Sequence, residues 1–574
     1  MRYFNITKTI LFVLTMLLLF ASLFQQQSHT FEFMPLAGTF VPTSKPEPTI
    51  KSFRTAHYQT QTEDYLRESF GFREPLIRYY NQFLYDFFRT TYNQQVVIGK
   101  NHWLYFDQNV NDYYGTEMYR WYGSKEEAIQ VYDREVRLMW KLRGVLQDYD
   151  IDFFLFMGPE KAFVYPEFLP CRKFDTTSVN AREYYSDKLD EYGIPYIEMT
   201  KWFVGMKEAD TLPYSLFPQS GVHWTFSSVL AADSLFRFMG DLKDINLPKL
   251  QVGPLHESTE ETLKDDHDTE RIMNLLRPLP HKYDQLYDAE VTVVTDENTT
   301  RPSVVFVGTS FLERMYYFVP FDEVFSNSEF WRYNSTIRYG KNFEKSTLVD
   351  TSDILQRLLD SDYVVWFADG EQMCKASFGF VETALMNLCL EDDDVAKVRY
   401  KVLDSLVGEG ITPSEKAWSM TNQLMVRNLE NYFPELAGDS IPTVRNSRLP
   451  EALAIRNIKR DAVWMTNMQC QAVLREMTLE EVLKMEAQNV LNGNPLMRDE
   501  SGIVTREIYL ESLARVMAQE ILANPDLVEA VRHKMESTGL PFEQQLNTDA
   551  RWIVDEQVNK GEILVPDFIS DIEP

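Results

Sequence analysis

Four short, mostly apolar runs set the tightest limit on how this chain can fold. Residues 152–157 read Asp-Phe-Phe-Leu-Phe-Met, residues 195–198 Pro-Tyr-Ile-Glu, residues 304–307 Val-Val-Phe-Val and residues 363–367 Tyr-Val-Val-Trp-Phe. Runs of this length, rich in aromatic and β-branched residues and bounded by turn residues, read as strands buried on both faces. Helical patterns alternate with them. Leu138, Leu142, Val145, Leu146 and Tyr149 recur at three- and four-residue spacing ahead of the first run, and residues 181–192 form a second helix ahead of the next. Helix alternating with buried strand predicts an α/β fold, a central parallel sheet flanked by helices.

The third strand leads to a candidate for chemistry. Gly308 permits a tight turn after Val307, and Ser310 follows just past the strand end. In open α/β sheets, ligands bind at the carboxyl ends of the strands. The N–H groups of the following turn could hold a developing oxyanion there. A serine in this position also reads as a turn residue or a helix N-cap.

Ends and charge bound the class. At 574 residues the chain has room for two or three domains, and 44% hydrophobic content supports a large core. A net charge of −29 disfavours nucleic acid as a partner, because phosphate binding needs a basic surface. Arg2 and Lys8 precede an apolar run from Ile10 to Phe24, and no small-x-small cleavage site follows. That pattern predicts an uncleaved membrane anchor, with a cleaved signal peptide as the alternative. The expected organisation is an anchor over residues 1–27, an extracytoplasmic linker rich in Pro, Thr, Ser and Gln over 28–60, an α/β domain over 61–390 and a mainly helical region over 395–574. Within these, residues 76–88 read as an amphipathic helix, 96–106 as a hairpin, 256–270 as a solvated loop and Glu391 to Asp394 as a solvated joint. Thr478 and Glu481 have capping-box spacing, and a long helix is expected to end at Asn524-Pro525. The four cysteines show no Cys-x-x-Cys spacing and the histidines no His-x-x-x-His, so neither a metal nor another cofactor is expected.

A serine nucleophile needs a base, and the chain has eight histidines. His57 lies in the linker, His256 and His267 in the charged loop, His281 beside Pro280 and His533 in the helical tail. His223 instead stands in Gln219-Ser220-Gly221-Val222-His223-Trp224-Thr225, a turn-like stretch just before an apparent helix. It reads equally as a general base and as a histidine satisfied at a helix start.

Several blocks, in this order, resemble the SGNH-hydrolase-like domain of the alginate O-acetyltransferase family over residues 65–370. They are Glu68-Ser69-Phe70-Gly71-Phe72-Arg73-Glu74-Pro75-Leu76, Val97-Ile98-Gly99-Lys100-Asn101-His102-Trp103-Leu104, the Pro159-Glu160-Lys161-Ala162 to Pro170 block, His223-Trp224 and Gly308-Thr309-Ser310-Phe311. The resemblance implies an SGNH-like sheet with Ser310 as nucleophile and His223 as base, and an exported, membrane-tethered enzyme that acetylates hydroxyls of a polysaccharide. It implies an acetyl donor supplied by a membrane-bound O-acyltransferase. Trp224 would bind substrate by stacking on a sugar ring, or else pack in the core. The block from Pro159 to Pro170 is expected to be structural.

Two departures stand out. The family carries an Asp two residues before the histidine, where this chain has Gly221, and an Asp before the serine, where it has Thr309. The missing orienting acid leaves three readings open: Asp369 or Glu371 replaces it, a backbone carbonyl assists a Ser–His dyad, or the protein is a weak or inactive homologue that binds glycan or scaffolds a complex. An acetylesterase is a further alternative.

Overall fold

The computed structural model describes residues 2–38, 44–54, 57–175, 177–375, 377–408, 415–475, 477–493, 495, 506–560 and 563. The chain divides into two compact units. One comprises Met1–Arg143, Asp152–Asp350 and Tyr363–Phe380, and the other Gly144–Ile151, Thr351–Asp362 and Val381–Pro574.

The first unit is built on a seven-stranded sheet. A separate hairpin comes first, β1 (Val96–Ile98) against β2 (Leu104–Phe106), antiparallel as the sequence predicts. The sheet strands are β3 (Asp152–Gly158), β4 (Tyr196–Glu198), β5 (Ser303–Gly308), β6 (Asn327–Arg332), β7 (Thr336–Tyr339), β8 (Lys345–Leu348) and β9 (Tyr363–Asp369). Their order is β8-β7-β6-β5-β9-β3-β4. The five from β6 to β4 run parallel, and β7 and β8 extend the sheet antiparallel beyond β6. All four expected strands lie in this one sheet.

The middle strands β5 and β9 are buried along their whole length, which is why they read as continuous apolar runs. Register sets Phe154 beside Val365 and Val365 beside Phe306, so one face presents a continuous apolar row. Phe156 and Phe367 stack there with ring centroids 4.5 Å apart. Helix Ser228–Lys243 lays Ala231, Ala232, Leu235, Phe236 and Met239 into the same core. Spacing of three and four residues places those side chains on one helix face.

Expectation and structure differ in three places of this unit. The aromatic helix spans Arg73–Phe88 and leaves Leu76, Tyr79, Tyr80, Phe83, Phe87 and Phe88 exposed. Part of the linker is ordered against the domain, where Asn274 exchanges hydrogen bonds with the backbone of Ala37. Residues 256–270 are no solvated loop. They contain helix Glu260–Asp266 and the start of helix Asp268–Met273, and Thr262, Asp266, Thr269 and Glu270 are buried.

The second unit is helical, as expected. Ile455, Ile458, Met468, Val482 and Leu483 form one of its cores. Thr478 and Glu481 make the predicted capping box. The helix ahead of Asn524-Pro525 runs Arg506–Ala523, and Asn524 caps the next, Pro525–Thr538. The acidic run is not a joint: Asp392, Asp393 and Asp394 form the first turn of helix Asp392–Gly408, where the helix dipole favours negative charge. Cys171, Cys374 and Cys389 are free thiols; the side chain of Cys470 lies outside the described residues.

Candidate active site

Ser310 sits where β5 hands over to helix Phe311–Phe318. A Cβ on Gly308 would meet the carbonyl oxygen of Phe367 at 1.9 Å, so only glycine lets the end of β5 approach β9 this closely. The Thr309 N–H then donates to the same carbonyl at 3.2 Å. Ser310 occupies the N-cap position, yet its side chain makes no capping bond. Its hydroxyl is turned instead to His223, with Nε2 2.9 Å from Oγ.

The His223 loop is held from several sides. Lys161 is buried, and its ammonium donates to the carbonyls of Leu104, Gln219 and Gly221 at 2.7, 3.1 and 2.7 Å. Burial pulls its pKa down to about 7, with Asp284 and Asp268 opposing. The Pro159-Glu160-Lys161 block and the β1–β2 hairpin thus serve one purpose, fixing the loop that presents the histidine. The Trp224 indole N–H donates to the carbonyl of Phe311 at 3.0 Å, tying the loop to helix Phe311–Phe318. Trp224 is 0% exposed and packs among Phe156, Phe203, Phe311 and Phe367. That corrects the expectation that it binds substrate, since neither face of the indole is open to a sugar.

The acid comes from a segment that the sequence did not single out. Asp268, at the start of helix Asp268–Met273, places Oδ2 2.5 Å from His223 Nδ1. Its Oδ1 accepts from the Val222 N–H at 3.0 Å and from the Thr269 hydroxyl at 2.9 Å. These partners put the imidazole proton on Nδ1 and leave Nε2 to accept from the serine. Asp268 is therefore the residue sequence reasoning missed. A faint signal was there: the charged stretch holds two of the eight histidines and runs straight into Ile272-Met273, an apolar anchor.

Gly221 explains the departure from the family pattern. A Cβ at residue 221 would meet the backbone oxygen of Asp266 at 2.1 Å. The segment that carries Asp268 thus fills the space an aspartate at 221 would need. The Glu270 N–H donates to the Ser220 carbonyl at 3.0 Å. Arg314, on helix Phe311–Phe318, pairs with Asp266 at 2.5 Å. Burial pushes Asp266 up to about 7 against the pull of Arg314.

The electrostatics suit proton transfer. Burial disfavours the charged imidazole, but the Asp268 carboxylate and its hydrogen bond outweigh it, so His223 titrates above the usual 6.5. Burial likewise works to raise Asp268, yet His223 and the hydrogen bonds hold it below the usual carboxylate range. The two side chains are 24% and 25% exposed, enough for a substrate to reach them. Asp369, one of the expected substitutes, ends β9 nearby. Burial raises its pKa, and its influence on His223 is one of charge alone, without a bond between them. The side chain of Glu371 lies outside the described residues. Tyr333 completes the surroundings, its hydroxyl 3.4 Å from Ser310 Oγ and 3.5 Å from the Ser310 nitrogen.

Residues 96–347, which include all three members of this chain of hydrogen bonds, match the family model described as SGNH hydrolase-like domain, acetyltransferase AlgX. Over these residues the chain is similar to the SGNH hydrolase-like domain of acetyltransferase AlgX. Solved structures similar to it include the O-acetyltransferase domain of Pseudomonas putida AlgJ, at 17% identity and TM-score 0.29 over 51% of this chain and 86% of that one. Pseudomonas aeruginosa AlgX is similar at 17% identity and TM-score 0.33, over 51% and 67%. Bacillus cereus PatB1 with a sulfonyl adduct is similar at 10% identity and TM-score 0.32, over 50% and 98%. No curated protein matches the chain. The AlgX-like domain thus carries its serine, histidine and acid on three elements far apart in sequence.

Proposed function

We propose that the chain is an exported, membrane-tethered O-acetyltransferase that moves acetyl groups onto hydroxyls of a polysaccharide. The observation that carries this reading is the unbroken line of bonded atoms from Asp268 through His223 to Ser310, inside a domain similar to that of acetyltransferase AlgX. Ser310 Oγ attacks the acetyl carbonyl carbon of an ester donor while its proton passes to His223 Nε2. The Asp268 carboxylate stabilises the imidazolium that forms. N–H groups at the start of helix Phe311–Phe318 and the Tyr333 hydroxyl meet the oxyanion. His223 then gives its proton to the departing alcohol, leaving acetyl-Ser310. A sugar hydroxyl repeats the sequence: it loses its proton to His223, takes the acetyl group and frees the serine, which regains the proton.

Helix Arg2–Ser28 supports the tether, since Lys8–Ser28 is long and apolar enough to cross a membrane. A body held outside the membrane suits an acetyl donor delivered by a membrane-bound O-acyltransferase. The inactive-homologue reading rests on Gly221 and on the helical C-terminal region, and Asp268, in contact with His223, answers the first of these.

The test is a chromogenic acetyl ester and a sulfonyl fluoride applied to the full chain. Turnover and labelling that disappear in Ser310→Ala and His223→Ala are expected. Wild-type protein that neither turns over nor labels overturns the proposal. An oligosaccharide acceptor then separates transfer from hydrolysis: acetylated sugar marks a transferase, and acetate alone marks an esterase.

A further inference from the structure

The segment that brings Asp268 to the site carries a second cluster of ligating groups. His267 and His281 stack with ring centroids 4.0 Å apart. Ser220 Oγ lies 2.7 Å from His267 Nδ1 and 3.4 Å from His281 Nδ1. Asp284 Oδ2 lies 3.3 Å from His281 Nδ1. One donor atom from each of His267, His281 and Asp284 falls within 4.8 Å of the others. Bonds of about 2.0–2.2 Å from a tetrahedral zinc ion put neighbouring ligand atoms roughly 3.3–3.6 Å apart. The His281–Asp284 separation is such an edge.

The polar bookkeeping also points to a cation. Asp284 Oδ1 accepts from the Gln219 N–H at 2.5 Å, whereas Oδ2 is buried and makes no hydrogen bond. Buried carboxylate oxygens are costly unless paired, and this one has only His281 Nδ1 to answer it, at ion-pair distance and without hydrogen-bond geometry. On the other edge of the ring, His281 Nε2 lies 3.0 Å from Glu270 Oε2. The second oxygen of Glu270 is fixed by the Leu279 N–H at 2.7 Å. A carboxylate on the far nitrogen of a ligating histidine is the outer-shell arrangement that orients imidazoles toward metals. The cluster opens on a cavity of about 680 Å³ that His267, Glu270 and His281 line with Arg271, Leu275 and Pro278. That cavity gives an ion a way in.

We propose that His267, His281 and Asp284 bind one divalent transition-metal ion, Zn²⁺ fitting the two imidazoles and one carboxylate best, with Glu270 as the outer-shell carboxylate. The fourth position falls to the Ser220 hydroxyl or a water. The ion joins the helix start that carries Asp268 to the turn over residues 279–284, and the loop before His223 as well where Ser220 takes the fourth position. Asp268 directly follows a ligand, so the ion braces the acid that orients His223. Local spacing predicts no metal because these ligands meet only in the folded chain.

Chelator-stripped full chain in detergent is titrated with Co²⁺, read by the visible absorption of tetrahedral cobalt, and with Zn²⁺, read by equilibrium dialysis and elemental analysis. One ion per chain is expected, with a rise in Tm on adding Zn²⁺. His267→Ala, His281→Ala and Asp284→Asn should each weaken binding by more than about 100-fold and abolish the Tm rise, and Glu270→Gln by about 10–100-fold. Ser310→Ala should bind as wild type does. Circular dichroism of the metal-free variants confirms that each is folded, and His281→Gln replaces any that is not. Absence of binding by the wild type, or one-to-one binding that survives all three ligand substitutions, overturns the proposal.

Discussion

Replacing Asp268 with asparagine keeps the size of the side chain and removes its charge. The Val222 N–H and the Thr269 hydroxyl can still donate to Oδ1, so the loop keeps its anchors. What changes is the imidazole. An asparagine amide can donate to Nδ1, which moves the ring proton to Nε2, the atom that must accept from Ser310. In a serine protease that wrong tautomer costs about 10⁴-fold in kcat, or about 5 kcal/mol of transition-state stabilisation. A loss of that order is expected here in the chromogenic ester assay. The acid limb should move as well. His223 acts as a base only when neutral, and Asp268 holds its pKa above 6.5 against the effect of burial. Wild-type kcat/KM should therefore fall as pH drops through a value above 6.5. In Asp268→Asn the carboxylate no longer offsets burial, which is the largest single influence on His223, so the limb should shift to lower pH. A folded Asp268→Asn protein within tenfold of wild type, or an unmoved acid limb, refutes the role given to Asp268. A larger loss in Asp369→Asn than in Asp268→Asn would move that role to Asp369.

Gly221→Asp in the Asp268→Asn background should restore no activity and should lower Tm, because its Cβ meets the Asp266 carbonyl oxygen at 2.1 Å; recovered turnover would show that the segment can retreat. Tyr333→Phe should slow acetylation by about 10²-fold if its hydroxyl meets the oxyanion, with KM for the ester little changed. Trp224→Phe strips the hydrogen bond from the buried Phe311 carbonyl and should cost about 1–3 kcal/mol in urea unfolding, without selective loss of sugar binding. Lys161→Met leaves the carbonyls of Leu104, Gln219 and Gly221 without their shared donor. It should destabilise by about 2 kcal/mol or more, since the Leu104 and Gly221 carbonyls lose this donor while that of Gln219 keeps the Leu104 N–H.

Ser310 and His223 could be read from the sequence because their signals are local. A strand that is apolar throughout ends on Gly-Thr-Ser, and a histidine stands in a turn just before a helix. The sheet was legible for the same reason, as β3, β5 and β9 are buried on both faces and so appear as unbroken apolar runs. Asp268 was not. It is bonded to His223 at 2.5 Å yet stands 45 positions later in the chain, within a stretch whose charges suggest solvent. Composition cannot reveal that Asp266 and Glu270 turn inward, because their partners are Arg314, Ser220 and Leu279. Trp224 failed differently. A flat aromatic beside His223 suits a sugar ring and a core equally, and only its neighbours Phe156, Phe203 and Phe367 decide between them.

The contact between Gly221 and the Asp266 carbonyl constrains how such a site can drift. One pocket beside the histidine can hold an acid side chain grown from residue 221 or the main chain of the segment that bears the remote acid, but not both. A lineage passing from one arrangement to the other must therefore change two distant places at once, or cross an ancestor whose histidine is either crowded or unsupported. In this chain the glycine at 221 leaves that pocket to the segment that bears Asp268, so the acid comes from the second source.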